Sequence, residues 1–116
     1  MTPQEIMDGI REKNRLLTAK NSEYLALVEK RAEAERRYNV AVATETFTLK
    51  NEGQSITLID KLVKGSKLVS DYKYAYDVCV GVERACLESI KDIRTAIDSY
   101  RSLLTWLRAE MTGGGE

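Results

Sequence analysis

The sequence predicts an all-α fold, a long antiparallel, coiled-coil-like helical hairpin with a short helical turn in the connection. Three observations support this class. The 116 residues contain one proline and seven glycines, so long stretches lack helix breakers. Residues 2–5 have the form of a helix start, and apolar residues recur at heptad spacing along the second half of the chain.

The first helix is predicted over residues 3–51. Thr2 can cap it with its hydroxyl, Pro3 falls where its missing N–H costs nothing, and Glu5 completes a capping box. A thin apolar stripe follows, at spacings of mostly three, four or seven residues. Its members are Ile6, Ile10, Leu17, Tyr24, Leu27, Val28, Ala34, Tyr38, Ala41, Val42 and Leu49.

A linker is predicted over residues 52–65. Gly53 is the kind of residue that ends a helix in the left-handed conformation, and residues 57–64 can form one or two helical turns. The threonines and the phenylalanine at 44–48 favour a strand locally. A small β-hairpin over residues 44–59 is therefore an alternative to the helix end.

The second helix is predicted over residues 66–111, with Ser66 as its cap. Two heptad series run along it, and Glu83 is their one interruption. That residue either selects a pairing register, as polar core residues can, or lies at the rim with Val82 inside. The first series is Tyr72, Cys79, Cys86, Ile93, Tyr100 and Leu107, and the second is Tyr76, Glu83, Ile90, Ile97, Leu104 and Met111.

The two helices have matching lengths, roughly 73 Å and 69 Å at about 1.5 Å per residue, which favours an antiparallel pair. We expect a single domain over residues 1–112 and a flexible tail over 113–116. Because a lone two-helix hairpin has little interior, self-association into a helical bundle is expected. The predicted oligomer interface comprises Tyr72, Cys79, Cys86, Ile90, Ile93, Ile97, Tyr100, Leu104 and Leu107.

Composition excludes several function classes. Lysine and arginine total 18, as do aspartate and glutamate, so no overall basic field points to nucleic acid. Histidine is absent, which removes histidine triads and histidine zinc sites.

Cys79 and Cys86 would lie about 10.5 Å apart on one helix, too far for a disulfide between them. They are interpreted as core residues, the alternative being an inter-subunit metal or disulfide site. We therefore expect no enzyme and no cofactor.

A second interpretation concerns the basic stretch around the linker. Between residues 61 and 76 the only acid is Asp71, so the local charge is positive. The lysines could contact phosphates and the tyrosine a base. The candidate nucleic-acid contacts are Lys61, Lys64, Lys67, Lys73 and Tyr74.

The chain starts without an apolar run of signal-peptide length, so a cytoplasmic protein without membrane attachment is expected.

The segment 49–65, Leu-Lys-Asn-Glu-Gly-Gln-Ser-Ile-Thr-Leu-Ile-Asp-Lys-Leu-Val-Lys-Gly, resembles part of a known group of proteins. In small helical proteins of phages and prophages of Gram-positive bacteria, a charged helix ends at Glu-Gly. A Thr-Leu-Ile stretch follows, and Lys-Gly introduces a second helix. The resemblance covers roughly residues 30–105. It implies a phage or prophage accessory protein in the host cell, acting as a homo-oligomeric interaction module with an unknown protein partner. The alternative is a DNA-binding accessory factor of phage replication or recombination.

Overall fold

The computed structural model describes residues 1–113, and these form three α-helices. Helix α1 covers Pro3–Asn51, α2 covers Ile56–Gly65 and α3 covers Lys67–Gly113. The predicted all-α class, with a helical turn between two long helices, is confirmed. Over the described residues there is no strand, so the alternative β-hairpin is wrong. Of the predicted tail, Gly113 belongs to α3, and residues 114–116 lie outside the described residues.

The start of α1 is closed by the capping box that the sequence predicts. The backbone N–H of Glu5 donates to the Thr2 hydroxyl oxygen at 3.2 Å, and the Thr2 N–H donates to the Glu5 carboxylate at 3.4 Å. Two backbone donors that the helix itself leaves without partners are thereby satisfied.

The end of α1 is a Schellman motif centred on Gly53. This residue has a φ of 81°, in the left-handed region that favours glycine. Its N–H donates to the Lys50 carbonyl at 3.1 Å, and the Gln54 N–H donates to the Leu49 carbonyl at 3.2 Å. These two hydrogen bonds define the motif and satisfy carbonyl groups in the last turn of α1. The helix therefore ends at the glycine, as the sequence predicts.

A single residue separates α2 from α3. Ser66 is extended, with φ −64° and ψ 130°, and its N–H donates to the Val63 carbonyl at 3.2 Å. Its own carbonyl accepts the Ser70 N–H at 2.9 Å. Ser66 therefore closes one helix and opens the next, at the N-cap position where the sequence placed it.

The chain divides into two compact units. We call Leu25–Arg84 the central unit; the terminal unit combines Met1–Tyr24 with the chain from Ala85 onward. All three helices contribute to the core of the central unit, and α2 covers it with Ile59 and Val63. That core comprises Ala41, Leu49, Ile59, Val63 and Val69, with Tyr38, Val42 and Tyr72 packed against it.

Contacts within the central unit define the direction of pairing there. Arg31 of α1 contacts Glu83 of α3, and the Tyr38 ring stacks on Tyr76 with centroids 6.1 Å apart. The residue number thus rises along α1 as it falls along α3, which is antiparallel packing.

The terminal unit shows the same order of contacts. A Cβ built on Gly9 would lie 3.0 Å from the Tyr100 ring. Further along α1, the Lys20 carbonyl accepts a hydrogen bond from Cys86. Within this unit the two long helices therefore also pair in opposite directions.

Candidate interaction site

All nine residues of the predicted oligomer interface occupy buried or half-buried positions of the single chain. Tyr72, Cys79, Ile93, Tyr100 and Leu107 are half-buried, and whether they contact a second copy stays a prediction. The other four are covered by the chain's own atoms, so they cannot supply a free surface. These are Cys86, Ile90, Ile97 and Leu104, all at most 9% exposed.

The two cysteines behave differently. The Cys86 thiol is buried and donates to the Lys20 carbonyl at 3.7 Å, as expected of a packing residue. Cys79 is half-buried and lines a shallow groove of the central unit with Ala34, Tyr72 and Ala75. Among residues 1–113, no group of three or more cysteine, aspartate or glutamate side chains is arranged to hold a metal ion.

Glu83, the interruption of the heptad series, has a partner that the sequence did not reveal. The Arg31 Nε donates to its carboxylate at 2.7 Å, and the Arg31 Nη1 donates to Glu35 at 3.2 Å. The Arg31 and Glu83 side chains are only 29% and 17% exposed. The hydrogen bond to Glu83 and its negative charge raise the pKa of Arg31 above its ordinary value. Arg31 lies three residues after Val28 of the apolar stripe on α1. That spacing places it on the same helical face, and this was the sign in the sequence that Arg31 contacts another helix.

The basic patch around the linker is smaller than the sequence suggested. Lys67 pairs with Asp71 at 2.8 Å, and Lys73 pairs with Asp77 at 3.0 Å. In each pair the carboxylate accepts a hydrogen bond, which raises the pKa of the lysine. The candidate contacts are all exposed, but only two of the four lysines, Lys61 and Lys64, form no ion pair within the described chain.

A groove of about 380 Å³ lies beside α2 in the central unit. Tyr38, Val42, Val63 and Val69 give it an apolar lining, and its polar residues carry both signs of charge. The Thr46 hydroxyl in this groove donates to the Val42 carbonyl of its own helix at 2.7 Å, so it is already engaged. The other polar residues of the groove are Asp60, Lys64, Ser70 and Lys73.

Exposed apolar side chains are the most distinctive surface feature. The described chain buries ten hydrophobic residues but leaves fifteen large ones exposed, so more apolar side chains face outward than form the core. Apolar residues that form a contiguous patch are typical of a surface that contacts other molecules, whereas single exposed ones are common on any protein. The central unit carries ten of them: Leu25, Val40, Phe47, Ile56, Leu58, Leu62, Leu68, Tyr74, Val78 and Val82.

A cluster of one glutamate and two arginines on α1 should make the stability of the protein depend on pH. Glu33 accepts hydrogen bonds from Arg36 and Arg37, which lower its pKa from 4.5 to about 2. The ionised Glu33 carboxylate stabilises the folded state through these hydrogen bonds. Because its pKa is lower in the folded state than in the unfolded state, this stabilisation is fully present above pH 4.5 and is lost as the pH falls toward 2. Carboxyl-carbon NMR should show Glu33 titrating near 2. In Arg36→Gln/Arg37→Gln the midpoint should return toward 4.5, and a wild-type midpoint near 4.5 would contradict the pairing.

Within residues 1–113, none of the helices is both long enough and apolar enough to cross a membrane. Comparison with protein-family models, curated proteins and solved structures found no match to the chain. The function must therefore be argued from the exposed surfaces and contacts described above.

Proposed function

We propose that this chain is a non-enzymatic, self-associating helical interaction module, at least a dimer, that serves as an accessory protein of a phage or prophage. The phage origin and the host cytoplasm as its location rest on the resemblance of residues 30–105 and on the composition. The binding of a further protein partner is part of the same proposal.

Self-association is supported by the area that the chain exposes. The accessible surface is 8434 Å². A folded monomer of this mass exposes roughly 6,400 Å² by the size scaling of monomeric proteins, about 2,000 Å² less. A standard protein–protein interface buries about 800 Å² on each partner, so an excess of that size is more than one such contact covers. The fifteen exposed large hydrophobic residues give this excess an apolar character that water does not favour.

Concentration-dependent melting tests the proposal. Only the folded oligomer is favoured by mass action, so its melting temperature should rise with protein concentration. For a dimer of this size, a tenfold increase should raise it by about 3–6 °C. Circular dichroism at two concentrations measures this. An identical melting temperature at both concentrations would contradict self-association.

Binding to DNA is the alternative function. Lys67 and Lys73 pair with Asp71 and Asp77, so fewer unpaired positive charges are left to contact phosphates than the sequence suggests. We expect no saturable binding of short single- or double-stranded DNA at low salt and micromolar protein. Fluorescence anisotropy of labelled oligonucleotides provides the measurement. Saturable binding that weakens in Lys61→Ala/Lys64→Ala and has a flatter salt dependence would establish the alternative, since those residues would then release fewer counterions. Lys67→Ala/Lys73→Ala is the matched control.

A further inference from the structure

We draw no further inference here: the strongest candidate, the groove of about 380 Å³ beside α2 in the central unit, combines an apolar lining with charges of both signs, and nothing in residues 1–113 shows what covers it.

Discussion

Replacing Ile90 and Ile97 together by alanine is expected to unfold much of the protein at room temperature. Both side chains are buried, at 2% and 4% exposure. Truncating a buried isoleucine to alanine costs about 2–5 kcal/mol, through lost transfer energy and the cavity left behind. Small proteins have only about 5–15 kcal/mol of total stability, so two such losses remove most of it.

Thermal melting by circular dichroism measures this effect. Ile56→Ala is the matched control, because Ile56 is 82% exposed and its truncation should change the free energy of unfolding by no more than about 0.5 kcal/mol. If the double variant melted at the wild-type temperature, the assignment of these two isoleucines to the core would be wrong.

Reversing the charge of Arg31 is expected to have the second largest effect. Arg31→Glu places a carboxylate against Glu83, which is 17% exposed, and leaves that acid without its donor. The loss should be about 1–3 kcal/mol, the usual cost of leaving a partly buried polar group unsatisfied, increased by like-charge repulsion. The swap Arg31→Glu/Glu83→Arg should recover much of this loss, because it restores opposite charges at the same contact.

An exposed pair provides the comparison for this charge reversal. Lys91 and Glu88 are 3.3 Å apart, with side chains 58% and 60% exposed, so Lys91→Glu should cost less than about 1 kcal/mol. Urea unfolding of the variants gives the free energies. A swap variant as unstable as Arg31→Glu alone would mean that Arg31 and Glu83 do not pair in this register.

Local features of the fold were predictable because their causes lie within a few residues. The Thr2–Glu5 capping box and the Gly53 helix end each depend on side chains and dihedral preferences at the site itself. The preference of Thr46 and Thr48 for strand was overridden within the helix. Their hydroxyls donate to the Val42 and Thr44 carbonyls at 2.7 Å and 3.0 Å, so their polar groups are satisfied there.

Features that depend on register were not predictable in the same way. The partner of Glu83 lies 52 residues away on another helix, and a heptad pattern does not specify which α1 residue lies opposite. The same pattern cannot distinguish burial within a chain from burial between chains, so Ile90 and Ile97 were assigned to an interface. The pairing of Lys73 with Asp77 is local and was foreseeable. Asp77 lies one residue beyond the positively charged stretch 61–76, so the composition of that stretch alone does not include it.

Self-association underlies the proposed function, and sedimentation equilibrium of the unmodified chain tests it most directly. At micromolar concentration the fitted mass should be at least twice the 13.1 kDa of one chain. A single species of 13.1 kDa across the concentration range would contradict it.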